Sequence, residues 1–238
     1  MNELYIKNHE FMRNYEKFKI ISLGGACTVS NVLENTKLRH YSLPFDYMRS
    51  TFEGIILLIQ NINNFNEQKR IFFNYIHIDK SSKFKMYIGK HFTFVHHNIE
   101  DKNIKNSFLR RLKRFNSLLI DNSKPLLLFR MITDENPYNE LKNIDKINNL
   151  LKKINNNYKL ILIITNQNVN ENKINYYKIS KNTIIYMIKC CHEKSYFESF
   201  NIIKDVVNNY DNFTNYAVNI KLKTNPRWKK IKNILVHD

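Results

Sequence analysis

The chain has 238 residues, of which 43% are hydrophobic, and this length and composition predict one domain with a substantial buried core. No run approaches the ~20 apolar residues that span a bilayer, and the first 19 residues lack the continuous apolar segment of a signal peptide. Three cysteines, two of them adjacent at Cys190-Cys191, exclude a disulfide framework and fit a reducing compartment, so we expect a cytoplasmic protein.

The chain is strongly basic, with a formal net charge of +17. Basic side chains that neutralise phosphates release counterions, so this charge favours weak binding of nucleic acid or of an acidic partner. The abundance of Lys, Asn, Ile, Tyr and Phe, which have AT-rich codons, offers genomic bias as the competing explanation. The basic residues concentrate at Arg110, Arg111, Lys113 and Arg114 in the middle and in the basic C-terminal segment 221–238.

The predicted elements begin after an N-terminal extension, residues 1–17. Residues 18–23 predict a buried strand that stops at Gly24-Gly25, and a helix should follow over 27–36. A second helix opens at Ser50, where Ser50-Thr51-Phe52-Glu53 matches the S-x-x-E capping box. Residues 71–97 predict short strands or a hairpin with aromatic alternation, the first strand at 72–78.

The second half alternates helices with buried strands. Its elements are an amphipathic helix at 104–120, a central strand at 126–132, a helix from Asn136 to residue 154, strands at 160–164 and 183–188, and a closing helix at 197–210. This order predicts an α/β fold with a mainly parallel, doubly wound sheet, helices on both faces and an aromatic-rich insertion around residues 71–97.

Ligands of such sheets bind beyond the carboxyl ends of the strands. The groups that the chain brings to this edge are Cys27, Thr133-Asp134, Thr165-Asn166 and Cys190-Cys191-His192. Cys27 follows two glycines, which allow close backbone approach, and begins a helix whose free N–H groups favour a thiolate or an oxyanion. Such a cysteine is a candidate nucleophile, although a buried and inert cysteine fits the same spacing.

A thiol enzyme needs a base, and histidine is the usual one. His91, His96 and His97 cluster around residues 92–95, where alternation sends His96 and His97 to opposite faces, and His192 ends the last buried strand. The H-x-x-x-x-H-H spacing does not suit one metal ion, so no metal site is predicted. The full G-x-G-x-x-G and G-x-x-x-x-G-K-[ST] patterns are absent, so no cofactor is predicted.

Two further polar residues attract attention. Asp46 in Pro44-Phe45-Asp46-Tyr47 could orient a histidine, or it could cap a local turn. Arg130 lies inside an apolar strand, where its charge must reach the sheet edge or pair with an acid or an anionic substrate.

Four segments together resemble a known family: Ser22-Leu23-Gly24-Gly25-Ala26-Cys27, Pro44-Phe45-Asp46-Tyr47, Phe94-Val95-His96-His97, and Phe129-Arg130 before a polar turn. In order and spacing over about residues 18–135 they resemble bacterial and large-DNA-virus proteins described as putative papain-like cysteine peptidases. One departure is Tyr47, where the family usually has tryptophan. The resemblance implies Cys27 as nucleophile, His96 as base, Asp46 as orienting acid and Arg130 as a further site residue.

The order of elements is also similar to hydrolases of the SGNH type, in which the nucleophile follows the first strand and the histidine lies near the chain end. This similarity makes His192 an alternative base, and His97 is another because only one of His96 and His97 easily faces a given cleft. Gly24 and Gly25 are expected beside Arg130 in the substrate site. We expect a thiol hydrolase or acyl transferase acting on a peptide, acyl or anionic substrate. The alternatives are a non-catalytic protein that binds nucleic acid or an acidic partner, and an enzyme that modifies an anionic sugar or nucleotide through Arg130.

Overall fold

Two sheets organise the chain in the computed structural model, which describes residues 17–80, 85–134, 136–167, 175–178, 182–191, 194–208 and 210. With strands numbered in chain order, the larger sheet has the spatial order β1 (Lys19–Ser22), β6 (Leu126–Ile132), β7 (Tyr158–Ile164), β9 (Thr183–Met187) and β8 (Asn175–Lys178). The first four strands are parallel, and β8 pairs antiparallel with β9.

Helices cover both faces of the larger sheet. Leu127, Phe129 and Met131 of β6 belong to one apolar cluster, whereas Leu126, Leu128 and Ile132 belong to the other, because alternate residues of a strand face opposite sides. One face carries α1 (Cys27–Asn35) and α7 (Tyr196–Asn208), and the other carries α2 (Phe52–Gln60), α4 (Lys102–Ile120) and α6 (Ile144–Ile154). The predicted α/β class, with a mainly parallel sheet between two helical layers, is confirmed.

The smaller sheet is antiparallel and is the predicted aromatic-rich insertion. Its spatial order is β2 (Arg49–Ser50), β5 (Phe92–Phe94), β4 (Met86–Gly89) and β3 (Tyr75–Asp79). Phe72, at the end of α3 (Phe65–Phe72), lies with its ring 4.9 Å from that of Phe92 and 5.4 Å from that of Phe94. Packing of these rings joins the small sheet to the main core.

Three sequence predictions change in detail, and the structure adds elements that were not predicted. The strand predicted at 72–78 begins at Tyr75, because Asn64 caps α3 and the helix continues through Phe72. Helix α2 is capped by Thr51, which accepts from the Gly54 N–H, because Ser50 is already paired in β2. The single helix predicted from Asn136 to residue 154 is divided into α5 (Tyr138–Leu141) and α6, and β8 was not predicted.

The helices that the structure describes include none both long and apolar enough to cross a membrane.

Candidate functional site

The loop that leads from β1 to Cys27 is pressed against the end of β6. Gly24 and Gly25 have φ values of +70° and +95°, a backbone region that favours glycine. A Cβ atom on Gly25 would lie 1.8 Å from the Met131 carbonyl oxygen, and the Met131 N–H donates to the Gly24 carbonyl at 3.1 Å. Only glycine fits at Gly25 without a backbone shift, so β6 fixes where Cys27 begins α1.

Cys27 is the first residue of α1 and has a half-buried thiol. The N-cap residue, Ala26, makes no side-chain hydrogen bond to the helix, and the first turn contains no acidic residue. The first N–H groups of the helix are therefore not capped by Ala26 or by an acidic side chain of the first turn. Burial raises the pKa of the Cys27 thiol above its ordinary value, while the Arg49 charge and the backbone N–H of Cys27 act in the opposite direction. A helix N-terminus alone would lower the pKa of a cysteine, so this upward shift is in the opposite direction. The shift favours the neutral thiol in the resting protein.

A cavity of about 200 Å³ lies beside this loop, at the carboxyl ends of β1 and β6. Gly25 and the end of β6 form one side, and β2 and the turn between β4 and β5 form the other. Its lining residues are Gly25, Arg49, Ser50, Thr51, Gly89, Lys90, His91, Thr93, Arg130, Met131, Ile132, Thr133, Asp134 and Glu140. The predicted edge groups Thr133 and Asp134 are therefore brought next to the loop that carries Cys27.

His91 lies in the wall of this cavity, half-buried on the turn between β4 and β5. Its Nδ1 is 3.1 Å from the Thr51 hydroxyl, and its carbonyl accepts from the Thr51 N–H at 2.9 Å. Burial lowers the pKa of the His91 imidazole, and the neighbouring Lys90 lowers it further while Glu53 opposes the shift. A neutral imidazole anchored to the α2 cap is suited to accept a proton at neutral pH.

Arg130 is 1% exposed, and the protein itself uses its five N–H donors. Nε and Nη2 donate to Glu140 at 2.9 Å and 2.7 Å, and the other bonds go to the Leu23 carbonyl and to the carbonyl and hydroxyl of Ser50. Of the alternatives that the sequence left open, the structure shows pairing with an acid, Glu140. Arg130 therefore ties β6 to β1, β2 and α5, with its charge neutralised.

Asp46 is also buried, and its carboxylate lies against α1. It accepts from the Ser30 hydroxyl at 3.0 Å and from the Leu43 N–H at 2.8 Å, and it forms a longer ion pair of 3.4 Å with Arg39. Burial raises the pKa of the Asp46 carboxyl above its ordinary value, while these hydrogen bonds and the Arg39 charge act to lower it.

The Ser30 hydroxyl also lies 3.2 Å from that of Ser22, which accepts from the Gly24 N–H. These contacts connect Asp46 to the loop before Cys27 through two serines.

The two adjacent histidines after β5 have different surroundings. His96 is exposed, whereas His97 is half-buried with its ring 5.1 Å from that of Phe108. Burial lowers the pKa of the His97 imidazole, as do the charges of Arg111 and His96. Its Nε2 is buried and has no hydrogen-bond partner among the described residues. His192 lies outside the described residues, so its position relative to Cys27 stays a prediction.

The basic cluster of α4 is largely engaged with aromatic rings. Arg111 lies over Phe108, Lys113 lies over Phe65, and Arg114 donates to the Ser42 carbonyl at 2.8 Å beside Tyr41. The basic segment 221–238 lies outside the described residues. Within the described part of the chain, no three His, Cys, Asp or Glu side chains are grouped so that they could hold a metal ion.

Arg49 was not singled out by the sequence, and His91 was named only as a member of the histidine cluster, although both line the cavity. Arg49 belongs to a strand of two residues and His91 to a turn, and neither is long enough to show a hydrophobic period in the sequence. The pairing between β2 and β5 brings the two residues together. The available hint was Arg49, which is exposed and lies two residues before the Thr51 cap of α2.

Comparison with known proteins agrees with the sequence resemblance. The family model described as "Putative papain-like cysteine peptidase (DUF1796)" matches residues 18–170, which include β1, the cavity and Cys27. No curated protein and no solved structure gave a match. Because the model covers more than half of the chain, this protein belongs to the putative papain-like cysteine peptidase family.

Proposed function

We propose that the protein is a thiol-dependent hydrolase or acyl transferase in which Cys27 is the nucleophile. The observation that carries the proposal is the position of Cys27 at the N-terminus of α1, directly after a loop whose Gly25 lines a cavity. Gly25 and Arg49 both line the cavity, and Arg49 is the charged neighbour of the thiol. Membership in the peptidase family supports the same reading.

The reaction follows from this arrangement. The Cys27 Sγ attacks a carbonyl carbon while a histidine accepts the thiol proton, and the uncapped N–H groups of α1 stabilise the oxyanion. The carbon–nitrogen or carbon–oxygen bond to the leaving group then breaks, and the imidazolium returns its proton to that group. Water, or another acceptor in a transferase, attacks the thioester and regenerates the thiol. Because the resting thiol is neutral, the base acts during the attack.

Several histidines are candidates for the base. The family resemblance implies His96, which is exposed on the turn after β5, and His97 and His192 stay the alternatives predicted from the sequence. Within the described part of the chain the geometry favours His91, because it lines the cavity together with Gly25 and Arg49 and because its Nδ1 is anchored by Thr51. Comparison of single variants decides between them.

Acylation by p-nitrophenyl acetate tests the nucleophile without knowledge of the natural substrate. Peptide-resolved mass spectrometry should find the acetyl group on Cys27 at least about tenfold faster than on Cys190 or Cys191, which serve as internal controls. Cys27→Ala should abolish the burst of p-nitrophenolate, and Cys190→Ser should retain it. Equal acylation of the three cysteines would contradict the proposal.

The same assay identifies the base. Loss of a general base typically costs 10²–10⁴-fold, so whichever of His91→Gln, His96→Gln and His97→Gln slows Cys27 acylation by about a hundredfold is the base. Asp46→Asn separates the two roles of the acid. If Asp46 orients the base, the pH profile of acylation shifts, whereas a purely structural Asp46 changes stability and leaves the profile in place.

A further inference from the structure

We propose that the cavity beside the loop that leads to Cys27 binds a carboxylate on the acyl side of the substrate, with Arg49 and Lys90 as the residues that recognise it. This inference rests on the proposed function for the reacting carbonyl and adds the chemical class of the group next to it.

The first argument is the charge of the lining. Three cations, Arg49, Lys90 and Arg130, face two carboxylates, Glu140 and Asp134. Arg130 and Glu140 neutralise each other in a buried ion pair, so they offer no charge to a ligand. Arg49, Lys90 and Asp134 remain, which leaves one surplus positive charge and matches a monoanion such as a carboxylate.

The second argument is the lack of internal partners for the two cations. Among the described residues, neither Arg49 nor Lys90 has a carboxylate oxygen within 4.0 Å. Two exposed and unpaired cations at the rim of one cavity form a site for an anion, and an arginine can bind a carboxylate through two parallel hydrogen bonds.

The third argument is the fixed position of Arg49 relative to the nucleophile. Arg49 pairs with Thr93 across β2 and β5, and the Ser50 hydroxyl that follows it donates to the Leu23 carbonyl at 3.3 Å. Ser50 also accepts from Arg130 through its carbonyl at 2.8 Å. The backbone of Arg49 is thus held against the end of β1, where the chain turns towards Cys27.

The size of the cavity is compatible with a small acidic acyl group. A volume of about 200 Å³ has room for a carboxylate a few bonds from the reacting carbonyl, as in an aspartyl or glutamyl residue. The substrate class that we infer is a peptide or ester with an acidic acyl residue.

The test compares two alkylating reagents of nearly the same size, iodoacetate and iodoacetamide. Their rate ratio at Cys27, measured on the isolated peptide, cancels any change in thiol pKa and reports only the preference for a carboxylate. We expect the iodoacetate-to-iodoacetamide ratio to exceed that of N-acetylcysteine by roughly ten- to a hundredfold. Arg49→Gln and Lys90→Gln should each lower the ratio several-fold, whereas Arg49→Lys, which keeps the charge, should retain most of it.

Two controls accompany these variants. Asp134→Asn removes the opposing charge and should raise the ratio, and Lys102→Gln, an exposed cation outside the cavity lining, should leave it unchanged. A ratio equal to that of N-acetylcysteine overturns the inference while leaving the proposed nucleophile intact. A Cys27 that resists both reagents while Cys190 and Cys191 react overturns the proposed function itself. Stronger protection of Cys27 by inorganic phosphate than by acetate would overturn the choice of a carboxylate.

Discussion

Arg130 and Glu140 form a buried ion pair in which Nη2 lies 2.7 Å from Oε2, and the other carboxylate oxygen of Glu140 accepts from the Phe52 N–H at 3.0 Å. One acidic side chain therefore neutralises the charge inside β6 and caps the first turn of α2. This pair holds the strand that supports Gly25 and the helix that anchors His91 in one fixed arrangement.

Removal of Glu140 alone should lower the free energy of unfolding more than removal of both charged side chains. Glu140→Ala leaves a fully buried guanidinium without its counter-charge, which typically costs about 3–5 kcal/mol. The double variant Arg130→Met/Glu140→Ala removes the stranded charge and should recover part of this loss. Urea unfolding of the single and double variants measures both effects. A double variant less stable than Glu140→Ala would contradict this account of the pair.

Substitution of the two glycines should have unequal effects. Gly25→Ala places a Cβ atom 1.8 Å from a backbone oxygen of β6, so the strand or the loop must move. At Gly24 the nearest obstacle is the Ser50 hydroxyl at 2.8 Å, a side-chain atom. Both changes carry a positive-φ penalty of about 1–2 kcal/mol, and the backbone clash at Gly25 adds to it. We expect Gly25→Ala to lower the melting temperature more than Gly24→Ala and to slow Cys27 alkylation.

The pH dependence of Cys27 acylation should distinguish His91 as the base. A base works only in its neutral form, and burial lowers the pKa of His91, so acylation should persist to a pH below the usual histidine value of about 6.5. In His91→Gln the reaction must wait for ionisation of the thiol. Because burial raises the pKa of Cys27, this variant should gain reactivity only above about pH 8.5. Rates of acetylation between pH 5 and 10, the range that covers both groups, give the two profiles.

The main sheet could be predicted because its strands carry strong local signals. Residues 126–132 form a continuous apolar run, and all seven are buried between the two helical layers. Because the other residues of this strand are apolar, Arg130 stood out in the sequence as a charged residue that needed a partner. Its partner could not be read, since Glu140 reaches it only because the chain after β6 turns into the short helix α5.

The small sheet was predictable in composition but not in pairing. Tyr87 and Phe94 face each other because the turn at Lys90-His91 sets their register, and aromatic alternation alone does not specify that register. The position of Cys27 beyond β1 followed from the glycine pair. The presence of Arg49 and His91 in one cavity depended on long-range pairing; the sequence offered His91 only within a cluster, and the family resemblance implied His96.

The half-buried state of Cys27 also bears on how the protein withstands oxidants. Peroxides attack the thiolate, and oxidation beyond the sulfenic acid, to the sulfinic and sulfonic acids, is irreversible. Because burial raises the pKa of Cys27, very little thiolate exists at neutral pH before a substrate arrives. We expect Cys27 of the resting protein to react slowly with hydrogen peroxide. Its thiol should become reactive only when a substrate carbonyl is bound and a base accepts its proton.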